Sequence, residues 1–189
     1  MERSDRELVR ESRRGDREAF RELVERYQRK VFSVALGMVQ NREDALELTQ
    51  ETFVKAYENL RKFKGESSFY TWLYRIVVNL AIDYRRRDRR QATVGLSERP
   101  AGGEELETLL PAAELSDPYQ QARAHELGAR IAAAIDELTP DHKAVILLRE
   151  VEGLSYEDIS RIMQCSKGTV MSRLHYARKK LQSKLRDCL

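Results

Sequence analysis

The chain has 189 residues, of which 34 are Lys or Arg and 31 are Asp or Glu, so its formal net charge is +3. Hydrophobic residues make up 41% of the sequence, which is too many for a fully disordered chain. The longest aliphatic runs, 131–135 and 144–148, are far shorter than the roughly 20 apolar residues that span a bilayer. We therefore expect a cytoplasmic protein without direct membrane insertion.

The two cysteines, Cys165 and Cys188, lie far apart and form no CxxC pair. This spacing is typical of a reduced protein and predicts neither a disulfide framework nor a zinc site. A redox role for either cysteine stays open.

Charge is distributed unevenly along the chain. Residues 1–90 carry 21 basic and 16 acidic side chains, and residues 121–189 carry 12 basic and 9 acidic ones. Residues 91–120 carry only 1 basic and 6 acidic side chains, together with three of the four prolines. This pattern predicts two basic domains, 1–90 and 121–189, joined by a flexible acidic linker over 91–120. Two basic units suggest a polyanionic partner.

Apolar residues recur at helical spacing in the first domain. The steps between Phe20, Val24, Tyr27 and Val31 predict a helix over 17–39, and a second helix is expected over 43–60. A third helix is expected to run to about Arg87, capped by Ser67 or Ser68.

The second domain is also predicted to be helical. One helix is expected near 121–138, with Leu127, Ile131, Ile135 and Leu138 on one side. Thr139-Pro140 predicts the start of the next helix, which ends near Gly153. Because no useful alternating strand pattern occurs anywhere, the predicted fold class is all-α.

A helix-turn-helix is predicted over 154–181. Ser155 and Asp158 form a capping pattern before a short helix, and Ser166 caps the next one after a connection of about three residues. Seven basic residues and no acidic one lie between Ser166 and Arg186, as suits a helix that reads duplex DNA. A basic helix pair that binds nothing specific remains the alternative. His175 is interpreted as a DNA-facing or solvated residue rather than a metal ligand.

Aromatic residues alternate with cations over 61–87, a combination that suits single-stranded nucleic acid. The loop Lys64 to Ser68 could receive an unstacked base through its hydroxyls and backbone amides. Trp72 and Tyr74 could equally belong to a helical core, whereas Phe69 and Tyr70, at the helix start, are expected to be more exposed.

The helix over 43–60 has five acidic residues and one basic residue, Lys55. An acidic face would repel DNA, so we assign this helix to a protein partner with a basic surface. A merely solvated polar face is the open alternative.

The segments AFRELVERYQRKVF, DALELTQETFVKAYENL, FKGESSFYTWLYRIVVN and LREVEGLSYEDISRIMQCSKGTVMSRLHYARKKL together resemble a bacterial extracytoplasmic-function sigma factor of the sigma-E-like kind, in the sigma-70 superfamily. The resemblance covers residues from about 16 to 185. It implies a region 2 helical bundle over 1–90 and a region 4 helix-turn-helix over 121–189.

The resemblance also implies site residues. Those expected to dock on the β′ clamp helices of core RNA polymerase are Asp44, Glu47, Leu48, Gln50, Glu51, Phe53 and Val54. Those expected to recognise and open the −10 element are Lys55, Lys62, Phe63, Lys64, Ser67, Ser68, Phe69, Tyr70, Trp72, Arg75, Asn79 and Arg86. Those expected to read the −35 element are Ser166, Lys167, Gly168, Thr169, Met171, Ser172, Arg173, His175, Tyr176 and Lys179.

The implied partners are core RNA polymerase (β′ clamp helices and β flap), promoter DNA and an anti-sigma factor, usually linked to the membrane. No Ser-His-Asp set, metal cluster or phosphate loop is visible in the sequence, so we expect a non-enzyme without cofactor, metal or small-molecule substrate. Two other functions stay open: a stand-alone helix-turn-helix regulator, and an interaction protein that binds polymerase or an anti-sigma factor but not DNA.

Overall fold

The structure is a computed structural model that describes residues 3–93 and 118–186, and the described residues form eight α-helices. The N-terminal module consists of α1 (Asp5–Arg13), α2 (Arg17–Val39), α3 (Arg42–Asn59), a 3-10 turn (Leu60–Lys62) and α4 (Phe69–Thr93). The C-terminal module consists of α5 (Pro118–Asp136), α6 (Pro140–Ile146), a π-helical turn (Leu147–Val151), α7 (Tyr156–Met163) and α8 (Lys167–Lys184). The predicted all-α fold class is confirmed for these residues.

Local capping residues set where the helices begin. The Ser68 hydroxyl accepts a hydrogen bond from the Thr71 amide at 3.0 Å and caps α4. Thr139 caps α6 with Pro140 in its first turn. Ser155 and Ser166 cap α7 and α8 by accepting from amides three residues further on. These caps lie where the sequence predicts them, because each depends on residues only three positions apart.

The N-terminal module packs α2, α3 and α4 around one apolar core. Val31 is fully buried there, as the helical spacing predicts, together with Leu23, Leu73 and Val77. Helix α1 was not predicted from the sequence. It is held by a capping box between Ser4 and Glu7, and it buries Leu8 and Val9 against this core.

In the C-terminal module, α8 packs against α5, α6 and α7. Ile159 and Ile162 on α7 and Val170 and Leu174 on α8 are buried. Leu127 of α5 is 37% exposed, so the expected apolar side of that helix is exposed at Leu127, half-buried at Ile131 and buried at Ile135.

The two modules pack against each other, which the sequence did not predict. A single hydrophobic cluster includes residues of both, with α4 lying against α6 and α7 and with α2 lying against the π-helical turn. Tyr74 of α4 donates a hydrogen bond to the Glu152 carboxylate at 2.7 Å, and Gln40 donates to the Ala132 carbonyl at 2.9 Å. We call this arrangement the closed form.

The predicted acidic linker lies almost wholly outside the described residues. The helices on either side end at Thr93 and begin at Pro118. No helix among the described residues is long and apolar enough to cross a membrane.

Candidate nucleic-acid interface

The connection between α7 and α8 is a tight helix-turn-helix joint. Gln164 adopts a left-handed conformation (φ 50°) that ends α7. The Ser160 hydroxyl donates to the Cys165 carbonyl at 2.6 Å, and the Cys165 amide donates back to the Ser160 carbonyl at 3.1 Å. Cys165 is half-buried in this turn.

One face of α8 is available for contact, while Val170, Leu174 and Ala177 bury the other face. Met171 and Tyr176 are 56% and 63% exposed, which is high for large apolar side chains. The remaining predicted −35 residues are exposed or half-buried, and they are Ser166, Lys167, Gly168, Thr169, Ser172, Arg173, His175 and Lys179. The structure therefore brings these residues together on one surface of helix and turn.

Two cations of this surface have carboxylate partners in the closed form. Lys167 forms an ion pair with Glu157. Arg173 forms one with Asp141, with 3.1 Å between Nη2 and Oδ1. Asp141 also accepts from Arg86 of α4 at 3.4 Å. One carboxylate thus links a predicted −35 residue to a predicted −10 residue.

A pocket of about 440 Å³ lies between α3 and α4. Five of the predicted −10 residues line it, namely Lys55, Lys62, Trp72, Arg75 and Asn79. The lining combines three cations, two amides, one large ring and the single carboxylate of Asp83, so it keeps a net positive charge that suits phosphate and base contacts.

The loop 63–69 faces a second groove. Lys64 and Ser68 are exposed, Ser67 is half-buried, and Gly65 adopts φ +77°, a conformation that favours glycine. Most of the predicted −10 residues therefore fall into two sets, with Trp72 between them: its ring packs on Phe63 at a centroid distance of 5.0 Å and on Phe69 at 5.8 Å. Arg86 lies apart from both sets, where it pairs with Asp141.

The predicted exposure of Phe69 is wrong, because its side chain is only 3% exposed and Phe63 is 8% exposed. Both rings sit in an aromatic cluster with Trp72, and Phe69 also contacts Tyr27 at 5.8 Å. They shape the loop from beneath rather than presenting their faces to solvent.

Tyr70 and Tyr74 differ in exposure and surroundings. Tyr70 is half-buried, and burial together with the nearby Glu152 carboxylate raises its pKa to about 12. Tyr74 is fully buried, which settles its open assignment in favour of the core. Burial and its hydrogen bond to Glu152 raise the pKa of Tyr74 far above its ordinary value.

The exposed face of α3 carries both acidic and apolar groups. Glu47, Gln50 and Val54 are exposed, whereas Asp44 and Glu51 are half-buried. Asp44, Glu47 and Glu51 line a shallow groove of about 300 Å³ that α4 completes.

Two predicted polymerase contacts are wrong as direct contacts. Leu48 and Phe53 are only 4% and 8% exposed and pack into the core. Leu46 and Tyr57, which are 44% and 46% exposed, are not among the expected polymerase contacts named above. Both are large apolar residues that lie outside the buried face of α3, and this position is the feature by which they could have been identified.

A partly buried charge cluster joins α4 to the C-terminal module, and none of its contacts was predicted from the sequence. The Asp136 carboxylate accepts from Arg85 at 2.6 Å and from the fully buried Lys143 at 2.8 Å. Burial, together with the neighbouring Arg85 and Arg89, lowers the pKa of Lys143 to about 8 against the opposing effect of Asp136. Burial by itself would raise the pKa of Asp136, but Lys143 and Arg85 hold it below its ordinary value.

Among the described residues, no group of His, Cys, Asp and Glu could hold a metal ion.

Comparison with known proteins gives matches over both modules. The family model for Sigma-70 region 2 matches residues 23–91, and that for Sigma-70 region 4 matches residues 128–181. The ECF RNA polymerase sigma-E factor of Haemophilus influenzae is 40% identical over 187 residues, covering 98% of this chain and 97% of the relative. The RNA polymerase sigma-H factor of Pseudomonas aeruginosa is 38% identical over 186 residues, covering 98% and 95%.

Solved structures are also similar. The sigma factor RpoE in complex with the anti-sigma factor NepR, from Bartonella quintana, is 26% identical with a TM-score of 0.66, covering 88% of this chain and 96% of that one. CnrH in complex with the cytosolic domain of CnrY is 26% identical with a TM-score of 0.70, covering 97% of each chain. The two family models in this order, with relatives matching from end to end, show that the chain belongs to the extracytoplasmic-function sigma factors of RNA polymerase.

Proposed function

We propose that this chain is a cytoplasmic sigma factor that binds core RNA polymerase through α3 and directs it to promoters through α4 and α8. The observation that carries this proposal is the separation of surfaces within one chain. An acidic and apolar face on α3 suits a protein partner, while the cationic and aromatic surfaces of α4 and α8 suit DNA.

The α3 face has the composition of a protein-binding surface. Val54, Leu46 and Tyr57 are each more than two-fifths exposed and lie on the same helix as Glu47. Exposed apolar groups beside fixed charges mark association sites, and the negative charge selects a basic partner. The ion pair of Glu51 with Lys55, at 3.4 Å, is exposed and contributes little to stability, so Glu51 can exchange partners. We assign this face to the β′ clamp helices.

The two DNA surfaces have different tasks. The exposed face of α8 suits duplex reading at the −35 element, because its short polar residues and cations lie at the start of a helix. The pocket between α3 and α4 and the 63–69 loop suit strand opening at the −10 element, where rings stack on bases and cations hold phosphates. Both surfaces act by binding DNA selectively and need no covalent chemistry, so we assign no enzymatic activity.

The closed form must open for both surfaces to bind one promoter. The −10 and −35 elements are numbered by their positions on the DNA, which are about 25 base pairs apart. At 3.4 Å per base pair this separation is roughly 85 Å. A compact chain of this length has a radius of gyration of about 16 Å. The closed form is therefore much smaller than the distance between the two elements and cannot contact both at once. Separation of the modules parts Arg86 of α4 from Asp141 of α6, and Arg86 can then bind DNA. Arg173 lies in the same module as Asp141 and must exchange that carboxylate for DNA.

We infer that an anti-sigma factor holds this chain inactive. RpoE and CnrH are each described in complex with an anti-sigma factor or the cytosolic domain of CnrY, and CnrH resembles this chain over both modules together. The closed form supports the inference, since it already keeps the two DNA surfaces too close for promoter binding. A membrane-linked inhibitor would connect this chain to a stress signal outside the cell.

Charge reversal on α3 tests polymerase binding. Glu47→Lys/Glu51→Lys is expected to weaken competition with another sigma factor for core polymerase by tenfold or more, because two attractive contacts become repulsive. Glu18→Lys/Glu25→Lys on α2 makes the same charge change on an exposed surface and is expected to compete like the unaltered chain. Equal competition by both variants would contradict the assignment of α3.

A further inference from the structure

A groove of about 750 Å³ lies between α1 and the 63–69 loop. Three arginines of α1 line one wall, at positions 6, 10 and 13, and Lys64, Glu66 and Ser67 of the loop line the other. None of the α1 arginines was identified as a site residue from the sequence. These arginines place positive charge beside the loop that is expected to receive an unstacked base.

The arginines share one face because they are spaced four and three residues apart on a helix. The opposite face of α1 buries Leu8 and Ser12. From Arg6 to Arg13 the row extends roughly 10 Å along the helix axis, about three steps of a stacked strand at 3.4 Å each.

The acidic residues of α1 are engaged with other groups, although Asp5 also lines the groove. Within the described residues, neither Arg6 nor Arg10 has an ion-pair partner, although Arg10 is close enough to contribute to the lowered pKa of Glu7. The acids of α1 hold other groups: Asp5 pairs with Arg26 at 2.6 Å, Glu7 accepts from the Ser4 amide at 2.8 Å, and Glu11 pairs with Arg3 at 3.1 Å. The helix therefore points uncompensated positive charge into the groove.

The loop wall is tied to α1. Arg13 donates to the Arg61 carbonyl at 2.9 Å, which fixes the end of α1 against the start of the loop. Lys64 and Glu66 are exposed at the groove. Because Asp5 is already paired, Glu66 is the acid that opposes the charges of the α1 row and Lys64, and the groove remains strongly positive.

We propose that this groove binds the phosphates of the single DNA strand whose base the 63–69 loop receives, with Arg6 and Arg10 as strand-positioning residues. Guanidinium groups match phosphate oxygens in a bidentate fork, and a row of them follows a backbone without reading its bases. The inference rests on the proposed function and extends −10 binding to α1.

The closed form narrows this groove. Arg161 of α7 borders it while paired with Glu157 at 3.5 Å, so the C-terminal module stands beside the path of the strand. Separation of the modules removes that wall. Strand loading therefore follows opening of the chain.

The test measures binding of the holoenzyme to a fork-junction DNA, taken from a promoter mapped with the unaltered chain, with a single-stranded −10 region. Arg6→Gln/Arg10→Gln is expected to weaken binding about tenfold near physiological salt. It should also flatten the slope of log K against log salt by about 1.4, or 0.7 for each phosphate that is no longer neutralised. Arg17→Gln/Arg29→Gln removes the same charge from exposed positions on α2 outside the groove and is expected to behave like the unaltered chain.

A neutral methylphosphonate probe makes the test specific. Replacing phosphates beside the unstacked base should weaken binding by the unaltered chain and have little effect on the Arg6→Gln/Arg10→Gln variant, which no longer has the guanidinium groups that bind them. Equal salt slopes for this variant and the α2 control, with normal binding by the unaltered chain, would overturn the inference alone. Absence of polymerase-dependent binding by the unaltered chain would overturn it together with the proposed function.

Discussion

Gly37 of α2 faces Leu147 so closely that a Cβ atom at Gly37 would lie 2.9 Å from Leu147 Cδ1. The three heavy atoms nearest to that position all belong to Leu147, which is 3% exposed. A side chain at position 37 therefore meets the other module first. This contact gives a way to disturb the closed form while altering the N-terminal core little.

Gly37→Val is expected to shift the chain from the closed form towards separated modules, because the added methyl groups overlap Leu147. Small-angle X-ray scattering should show a larger radius of gyration than for the unaltered chain. Adding Leu147→Ala to Gly37→Val removes the overlap and should restore much of the compactness. An unchanged radius of gyration in Gly37→Val would contradict the importance of this contact.

Neutralising two cations of α8 tests the assignment of the −35 surface. Lys167→Gln/Arg173→Gln is expected to reduce promoter binding by the holoenzyme and to flatten its salt slope by up to about 1.8, or 0.9 for each duplex phosphate that is no longer neutralised. Lys180→Gln/Lys184→Gln is the matched control, because these lysines lie on the same helix but contact Glu137. Identical slopes for the two double variants would favour a protein that does not bind DNA through α8.

The buried Lys143 predicts a specific pH dependence of stability. Its pKa is about 8 in the folded chain against an ordinary value of 10.5. At a pH between these two values, Lys143 therefore takes up a proton when the chain unfolds. The contribution of Lys143 to the free energy of unfolding therefore rises with pH in this window, by at most about 1.4 kcal/mol per pH unit. Denaturant titrations from pH 8 to 9.5 should show a more positive slope for the unaltered chain than for Lys143→Met. Parallel slopes would contradict the lowered pKa.

The aromatic cluster beneath the 63–69 loop predicts a structural role for Phe69. Phe69→Ala is expected to lower the free energy of unfolding by about 3–5 kcal/mol, because it leaves a cavity beside Phe63 and Trp72. Lys62→Ala, at an exposed position, should change it by less than about 0.5 kcal/mol. A stable Phe69→Ala variant that fails only in DNA binding would instead restore Phe69 as a direct contact.

The features that could be predicted from the sequence depend on residues that are close together in the chain. Ser68, Thr139 and Ser166 cap helices through groups three residues away, so their role depends on nearby sequence alone. Leu48 and Phe53 were misplaced because their burial depends on packing among α2, α3 and α4.

The closed form could not be predicted because its contacts join residues far apart in sequence. Lys143 would ordinarily be placed on a surface, yet it is buried where Asp136 of one module meets Arg85 of the other. Periodicity predicts which face of a helix is apolar, but it does not say which distant helix covers that face.

The most direct test of the central claim is in vitro transcription. The purified chain would be added to sigma-free bacterial core polymerase with a genomic DNA library, and the 5′ ends of the RNA would be sequenced. We predict discrete start sites that share two upstream elements, absent with Glu47→Lys/Glu51→Lys and kept with Glu18→Lys/Glu25→Lys. Absence of start sites, with the chain alone binding duplex DNA tightly, would contradict the sigma-factor account and favour a stand-alone helix-turn-helix regulator.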